Sequence, residues 1–230
     1  MPDFDVIVVG SGSGGGVVAS RLTEDPGIRV LLLEAGPDMG ANPPDDILHL
    51  RLGSGVEAYD WGYLDPSIGL GLPRGRLVGG SSAVNATIAM RGQPQDYDGW
   101  VERGARGWSW EDCLPYFRRL ETDADFGDRP YHGADGPIHI ERMPLLDGEQ
   151  LYVAACQELG HPRVEDHNQP GAIGVGPIPR NLRDGIRQSV LVTYVAAARG
   201  RANLTLRADA LVDRLLLDDD RAVGVALADG

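Results

Sequence analysis

Three glycines near the amino terminus have a spacing that can bind a diphosphate. Gly10, Gly12 and Gly15 form the pattern G-x-G-x-x-G, and a register starting at Gly12 fails because position 17 is valine. In such a pattern the first glycine makes a tight turn, the second lets the main chain approach a pyrophosphate, and the third allows a helix to pack closely on a strand. Ser13 and Gly14 complete the loop, in which backbone N–H groups and the positive end of a helix dipole bind the anion without a lysine.

An acidic residue follows at the distance expected for ribose recognition. Glu34 lies nineteen positions after Gly15, at the end of a second apolar run. An acid at this place typically accepts hydrogen bonds from the ribose hydroxyls of a dinucleotide, and its charge would repel a 2′-phosphate, so NADP is disfavoured. A bare glycine pattern also occurs in ordinary turns, and the sequence around it is what favours a nucleotide site.

Two apolar runs and a short amphipathic segment must position these residues. Residues 5–9 and 29–33 are continuous runs rich in valine, isoleucine and leucine, which predicts strands buried in a parallel sheet. Residues 17–22 predict a helix that stops at Asp25-Pro26-Gly27. Strand, glycine turn, helix and strand therefore form a predicted βαβ unit of the dinucleotide-binding type.

The carboxyl-terminal part of the sequence predicts a β-meander. Residues 204–206, 211–217 and 222–227 are typical of strands, and Asp218–Arg221 is typical of a turn. Asp229-Gly230 is a further hairpin signal, which predicts an unpaired sheet edge if no strand follows it. Only the first of these segments, residues 204–206, is predicted to be a parallel strand like the two amino-terminal ones. The predicted fold class is therefore α/β, with an incomplete doubly wound, Rossmann-like sheet and a β-meander.

A second block of small residues, 75–87, contains paired glycines, two serines and an asparagine. These residues can bring backbone N–H groups together in a concavity that binds an anion or a ring. They are equally typical of a helix start with Ser81 or Ser82 as N-cap, and both interpretations can hold because a helix N-terminus is itself an anion site. The preceding stretch, 37–73, is predicted to be a loop, in which Trp61 is either a core or rim aromatic or a cofactor contact.

Composition excludes several classes of function. All 21 basic residues are arginine, and the formal charge is −13. The absence of lysine excludes Schiff-base and pyridoxal chemistry, the lysine-containing phosphate loop and the kinase lysine. The negative charge argues against nucleic acid and anionic membranes as partners. An acidic start, no apolar run of membrane-spanning length and only two cysteines predict a soluble, cytoplasmic protein with no disulfide framework and no metal site.

Several motifs occur in a fixed order along essentially the whole sequence. They are Gly10–Gly15, Glu34-Ala35-Gly36, Gly75–Asn85, Met90-Arg91-Gly92, Asp96–Trp100, Gly107–Trp110, Leu114–Phe117, His132–Pro137 and Arg187-Gln188-Ser189. Together these motifs resemble the glucose–methanol–choline (GMC) oxidoreductase family of flavoproteins.

The resemblance implies FAD as the dinucleotide, a choice that the glycine pattern alone leaves open. It implies that Glu34, next to Ala35, holds the adenosine ribose, and that the main chain of Val212 meets the adenine. Some relatives attach the flavin through a histidine at the position of Val84, so the FAD here is predicted to be non-covalent. The remaining cofactor contacts are predicted at Trp61 and, along the pyrophosphate and isoalloxazine, at Arg76, Val78, Gly80, Ser81, Asn85, Ala86 and Thr87.

The family oxidises alcohols to carbonyls, with a base taking the hydroxyl proton while hydride passes to the flavin. The resemblance implies that this base is a histidine near the C-terminus of the family's chains. None of the histidines here stands in that motif, so no catalytic residue is predicted. His132 and His139 are predicted to be loop and strand residues. The five histidines are His49, His132, His139, His161 and His167.

The resemblance also predicts how the sequence is divided. Residues 1–150 and 180–230 would form a discontinuous, incomplete FAD-binding domain, residues 151–179 part of a substrate-side domain, and the catalytic C-terminal half of the family is absent. The expected partners are a small-molecule alcohol in the complete enzyme and, for a split gene, a separately encoded C-terminal half. Three hypotheses follow: the FAD-binding portion of an alcohol oxidoreductase, a non-catalytic remnant of a truncated or split gene, and an NAD-dependent dehydrogenase.

Overall fold

The computed structural model describes residues 4–49 and 57–228. The chain divides into two compact units: Met1–Ala86 with Gly185–Gly230 forms the first unit, and Thr87–Asp184 forms the second unit. These boundaries differ from the predicted ones at 150 and 180. The prediction concerned the assignment of segments to cofactor and substrate, and it stays a prediction.

Helices and strands alternate along the first part of the chain. The strands are β1 (Val6–Val9), β2 (Val30–Leu33), β3 (Glu121–Asp123), β4 (Ile138–Arg142), β5 (Pro179–Arg180), β6 (Leu182–Arg183), β7 (Ile186–Arg187), β8 (Leu204–Arg207), β9 (Val212–Asp218) and β10 (Arg221–Leu227). The α-helices are α1 (Gly15–Leu22), α2 (Asp45–Leu48), α3 (Pro94–Glu102), α4 (Trp110–Leu120), α5 (Asp147–Glu158) and α6 (Ala196–Ala198). Short 3₁₀ segments cover Glu57–Tyr59 and Gly80–Ala83, and a π-helical turn covers Leu191–Val195.

The first unit is built on a parallel sheet in the order β1-β2-β8. Val8 pairs with Leu32, and Leu32 pairs in turn with Leu206. Leu32 is fully buried, as expected for the central strand of a sheet covered on both faces. The three predicted parallel strands are thus confirmed, and so is the α/β fold class with a partial Rossmann-like sheet.

Helix α1 ends where its sequence stops supporting a helix. The Thr23 hydroxyl donates to the carbonyl of Ala19 at 2.9 Å, a local bond that closes the last turn. The turn after α1 is held by the residue that precedes β8. The side-chain amide of Asn203 donates to the carbonyls of Asp25 and Ile28, each at 2.8 Å. This places β8 beside β2 and sets the register of the sheet.

Of the predicted β-meander, the structure shows an antiparallel hairpin of β9 and β10, whereas the first predicted strand, β8, pairs with β2 in the parallel sheet. Asp218 pairs with Arg221, and Asp219 has a φ of 50°, so the turn lies where the acidic run predicted it. The consecutive residues Leu215 and Leu216 are both exposed, which leaves both faces of the hairpin open within the described residues. The predicted hairpin signal at Asp229-Gly230 lies outside the described residues.

The described parts of the stretch 37–73, residues 37–49 and 57–73, contain more regular structure than a loop, and residues 50–56 of the predicted loop lie outside the described residues. Helix α2 lies within it, as does the 3₁₀ turn at 57–59, and the isolated bridge between Leu64 and Gly71 closes a small hairpin-like turn. The prediction of a loop throughout was therefore wrong for these segments. Each is too short to produce a hydrophobic period that a sequence reading could detect.

The second unit combines three helices with a small mixed sheet. Strand β3 is parallel to β4, and β4 is antiparallel to β5. Helix α4 begins at a capping box, in which the backbone N–H of Asp112 donates to the Ser109 hydroxyl at 3.1 Å. Among the described residues, the helices are all too short or too polar to cross a bilayer.

Candidate cofactor site

The glycine loop after β1 has the geometry that its pattern predicts. Gly10 has a φ of 88°, which side-chain-bearing residues rarely adopt. A Cβ atom on Gly15 would lie 1.9 Å from the carbonyl oxygen of Gly10, so only glycine allows α1 to start this close to the strand. Gly12 differs, because a Cβ there would meet only the Cα of Gly80, at 3.7 Å. The surface of the loop at Gly12 is accordingly open to a ligand.

Glu34 directly follows β2 and joins the loops that come after the two strands. Its buried carboxylate accepts hydrogen bonds from the backbone N–H of Ser11 at 3.0 Å, the Ser11 hydroxyl at 2.7 Å and the backbone N–H of Gly36 at 3.0 Å. An ionised carboxylate has about four acceptor positions, so these three bonds leave one for a ligand hydroxyl. The sequence reading missed Ser11, although a hydroxyl at the second position of the glycine pattern was a signal for this contact.

The second glycine block is held by backbone and hydroxyl contacts. Gly79 and Gly80 have φ values of 98° and 52°. The Ser82 hydroxyl donates to the carbonyl of Gly79 at 2.6 Å and accepts from the backbone N–H of Val190 at 3.0 Å. The Ser81 hydroxyl accepts from the backbone N–H of Gly75 at 3.1 Å. A helix does start here, but the interpretation of either serine as its N-cap was wrong, because Gly79 holds that position without a side-chain bond.

The two glycine-rich loops pack directly against each other. A Cβ atom on Gly80 would lie 2.8 Å from the Cα of Gly12, and one on Gly75 would lie 2.4 Å from the carbonyl oxygen of Gly80. A Cβ atom on Gly36 would lie 2.0 Å from the carbonyl oxygen of Arg76. Glycine is frequent in this part of the sequence because the backbones of these loops are in direct contact, which leaves no room for a Cβ atom.

A cavity of about 730 Å³ opens between these loops within the first unit. This volume falls within the range of small-molecule and cofactor sites, about 300–1,000 Å³. The predicted contacts that line it are Gly10, Gly12, Ser13, Glu34, Ala35, Trp61, Gly80, Ser81 and Val212. The lining residues that the sequence reading missed are Val9, Leu33, Tyr63, Leu72, Arg74, Gly75, Ala210 and Leu211.

Other predicted contacts lie outside the lining of this cavity. Gly14 and Gly15 form the start of α1, behind the loop surface. Val78 is fully buried and its backbone N–H donates to the carbonyl of Pro37 at 3.0 Å. Asn85 and Ala86 are exposed residues at the end of the first segment of the first unit, whereas Thr87 begins the second unit. Their roles in cofactor binding stay predictions.

An aromatic pair forms part of the cavity wall. The rings of Trp61 and Tyr63 are stacked, with centroids 5.8 Å apart and planes 6° from parallel. The guanidinium of Arg76 lies over the Trp61 ring, 5.1 Å from its centroid. Arg76 itself does not line the cavity, and Arg74 is the arginine that does. Trp61 is half-buried at the rim of the cavity, and its contact with a cofactor stays a prediction.

The residues present fit a dinucleotide. A buried acid with one acceptor position left is suited to a ribose hydroxyl, and the open main chain at Gly12 and Ser13 precedes the N-terminus of an eight-residue helix. A diphosphate is stabilised at such a place by backbone N–H groups and by the helix dipole. The stacked aromatic pair offers a flat surface to a ring.

The chain belongs to the GMC oxidoreductase family, whose model matches residues 4–230. It is 41% identical, over 97% of its length, to the oxygen-dependent choline dehydrogenase of Pseudomonas putida and 39% identical to the mitochondrial choline dehydrogenase of Homo sapiens. It spans 41% and 40% of these two relatives.

Solved structures give the same assignment. Pyridoxine 4-oxidase from Mesorbium loti superposes with a TM-score of 0.85 at 35% identity, and an FAD-dependent oxidoreductase from Chaetomium thermophilum with 0.87 at 28% identity. Each match covers 98% of this chain, and 47% and 42% of the two structures. The predicted family is confirmed, and the relatives support a flavin cofactor and flavin-dependent oxidoreduction.

Proposed function

We propose that this chain is the amino-terminal, FAD-binding portion of an oxidoreductase that acts on the CH–OH group of alcohols. The observation that carries the proposal is the joint construction of the cavity: Glu34 holds Ser11 of the first glycine loop, and Gly12 of that loop packs on Gly80 of the second. An NAD-dependent dehydrogenase would use the first loop and leave the second without a role. One of the solved structures reported above is an FAD-dependent oxidoreductase, which favours FAD.

The residues of the chain divide the binding of FAD among them. Glu34 would accept a ribose hydroxyl, and the main chain at Gly12 and Ser13 would hold the pyrophosphate. Val212 and Trp61 stand at the cavity wall, where they would enclose the remaining rings. When bound, the flavin supplies the acceptor for the hydride that leaves the alcohol carbon. Val84 stands where covalent relatives carry a histidine, and we propose that the FAD is held non-covalently.

A narrower function is the main alternative: binding FAD without performing the oxidation. Among the described residues that line the cavity there is no histidine. Two histidines that could be considered as the base contact backbone carbonyls instead: the ring of His49 contacts the carbonyl of Gly185, and the ring of His167 contacts the carbonyl of Gly176. Reduction of bound flavin by choline in the isolated chain, under anaerobic conditions, would rule this alternative out. Unreduced flavin in the same assay would favour it.

The proposed location and partners rest on the sequence alone. A cytoplasmic location, a small-molecule alcohol as substrate, and the absence of nucleic-acid and membrane partners stay predictions, as does a separately encoded C-terminal half. The human relative bears the name mitochondrial choline dehydrogenase, which differs from a cytoplasmic assignment.

The first test of the proposal is retention of flavin. The purified chain is mixed with FAD, passed through a desalting column and examined for oxidised-flavin absorbance, and the flavin is then released with acid. We expect the flavin absorbance to stay with the protein on the desalting column. After acid denaturation we expect the flavin to separate completely from the protein. A chain that retains no flavin would contradict the proposal, and flavin that remains attached after denaturation would contradict the non-covalent assignment.

Replacing Glu34 with glutamine is expected to weaken FAD binding by about 10- to 100-fold. A hydrogen bond from a ligand hydroxyl to a charged acceptor contributes about 1.5–3 kcal/mol. In addition, the NH₂ group of glutamine is a donor, and it would face Ser11 or Gly36, which also donate at this place. The measurement is the dissociation constant of FAD by flavin fluorescence quenching. Glu102→Gln, on the exposed surface of α3, is the matched control and should leave the constant unchanged. Equal constants for Glu34→Gln and the unmodified chain would remove Glu34 from the site.

A further inference from the structure

Ser11 lies between two glycines that line the cavity, and its side chain is fully buried. The hydroxyl donates to Oε2 of Glu34 at 2.7 Å and accepts from the backbone N–H of Gly79 at 3.3 Å. The backbone N–H of Ser11 donates to the same Oε2 at 3.0 Å. One residue therefore joins the first glycine loop, the acid after β2 and the second glycine block.

These bonds use the two carboxylate oxygens of Glu34 unequally. Each oxygen of an ionised carboxylate has about two acceptor positions. Both positions at Oε2 are taken by Ser11, whereas Oε1 accepts, among the described residues, only the backbone N–H of Gly36 at 3.0 Å. Because Glu34 lines the cavity, the acceptor position that remains for a ligand is on Oε1.

Hydrogen bonds, rather than an ion pair, hold the carboxylate of Glu34 in this orientation. In the part of the chain that the structure describes, its partners are the donors of Ser11 and Gly36. Glu34 is only 5% exposed, and a buried carboxylate needs hydrogen bonds to offset its loss of water. A hydroxyl that donates to a charged oxygen forms a bond about twice as strong as one between neutral groups. The Ser11 hydroxyl is thus a main constraint on the direction in which Oε1 points.

We propose that Ser11 is a positioning residue for the cofactor, which holds Oε2 of Glu34 so that Oε1 accepts one ribose hydroxyl. The bond from Gly79 ties the same hydroxyl to the loop whose next residue, Gly80, lines the cavity. The inference rests on the proposed function, in which Glu34 accepts a ribose hydroxyl of FAD. It narrows that role to one of the two hydroxyls of the adenosine ribose.

The first test is a double-mutant cycle between Ser11 and Glu34 on the 230-residue chain. The measurement is the dissociation constant of FAD by flavin fluorescence quenching. We expect Ser11→Ala to weaken FAD binding by about tenfold, because a bond to a charged acceptor is lost and the carboxylate is free to rotate. In the Glu34→Gln background, Ser11→Ala should change the constant by less than about twofold, since Ser11 acts through the carboxylate.

Two further variants separate the hydrogen bond from packing. Ser11→Cys fills the space of the hydroxyl but is only a weak donor, so it should weaken FAD binding as Ser11→Ala does. It also takes the place of the alanine variant if that chain does not fold. Ser67→Ala is the matched control, because the Ser67 hydroxyl donates to the carboxylate of Asp65 at 2.5 Å, at an exposed position outside the cavity lining. It should leave the constant unchanged.

The second test identifies the ribose hydroxyl that Glu34 binds. FAD analogues that lack the 2′- or the 3′-hydroxyl of the adenosine ribose are titrated against the unmodified chain and against Glu34→Gln. For one analogue, the loss of affinity relative to FAD should be about tenfold larger in the unmodified chain than in Glu34→Gln. For the other analogue, the loss should be the same in both chains.

Three results would overturn the inference while the proposed function stands. They are losses that multiply in the double variant of Ser11 and Glu34, full affinity in Ser11→Cys, and equal coupling of the two ribose hydroxyls to Glu34, whether large or absent. An unmodified chain that binds no FAD would instead contradict the proposed function, and this inference with it.

Discussion

Replacing His132 with glutamine is expected to destabilise the second unit by about 3–5 kcal/mol. The imidazole is fully buried, and it donates from Nδ1 to Glu121 at 2.7 Å and from Nε2 to Asp166 at 2.9 Å. Removing one partner of a buried ion pair leaves the other charges uncompensated, and losses of this size follow. The measurement is urea unfolding followed by tryptophan fluorescence, because Trp100, Trp108 and Trp110 all lie in the second unit.

The buried charges around His132 balance only when the histidine is protonated, and the exposed Asp125 adds a further carboxylate at 3.2 Å from Arg142. Three cationic side chains then face three carboxylates, all nearly or fully buried: His132, Arg91 and Arg142 against Glu121, Asp123 and Asp166. Burial alone would lower the pKa of His132, but hydrogen bonds to Asp166 and Glu121 and the charge of Asp123 outweigh it and raise the pKa to about 9. The imidazolium therefore carries its charge at neutral pH.

This pKa gives the stability of the second unit a defined pH dependence. The pKa of His132 rises from 6.5 in the unfolded chain to about 9 in the folded one. Its contribution is therefore complete below about pH 6.5 and is lost as the pH rises through 9, by about 3 kcal/mol in total. Unfolding free energies at pH 6, 7.5 and 9 test this. His132→Gln should show a flatter profile, and His161→Gln, at an exposed position, should show the unmodified one.

The same network also bears on metal binding. One ligand atom each of Glu121, Asp123 and His132 lies within 4.8 Å of the others, close enough to surround a small ion. A protonated imidazole has no lone pair for coordination, and Arg142 already donates to both oxygens of Asp123, at 2.8 and 3.0 Å. Ion pairing explains this cluster without a metal.

The local features of the fold could be predicted from the sequence, because each depends on neighbouring residues. Gly10, Gly15 and the apolar runs on either side define the first βαβ unit within about thirty residues. The acidic turn at Asp218 and Asp219 likewise determines the hairpin of β9 and β10. These predictions succeeded because the spacing of apolar residues and the choice of turn residues depend only on residues that are close together in the sequence.

The network around His132 could not be predicted in the same way. His132 was expected to be an ordinary loop residue, and it does lie outside the helices and strands. Its partners at Glu121 and Asp166 are far from it in the sequence and follow no fixed spacing. Tyr63 and Arg74 were missed at the cavity for the same reason, because each comes from a segment with little regular structure.

Replacing Gly15 with alanine is expected to disrupt the cofactor site and to lower the stability of the first unit by about 3 kcal/mol or more. The new Cβ atom would lie 1.9 Å from the carbonyl oxygen of Gly10 and 3.0 Å from Cγ1 of Val8. Overpacking typically costs about 1–3 kcal/mol, and here the obstacle is backbone rather than a side chain that can rotate away. Thermal unfolding and FAD retention measure the two effects.

Gly14 provides a control one position earlier in the same loop. A Cβ atom there would meet no atom of the described residues within 4 Å, and the backbone of Gly14 is already helical, with φ −87° and ψ −59°. Gly14→Ala should therefore change stability by less than about 1 kcal/mol, since the entropy lost by alanine on folding is smaller but the N-cap position favours glycine. The contrast depends on which glycine faces the strand. Equal unfolding temperatures for the two variants would show that α1 can shift away from β1 and that Gly15 does not set their distance.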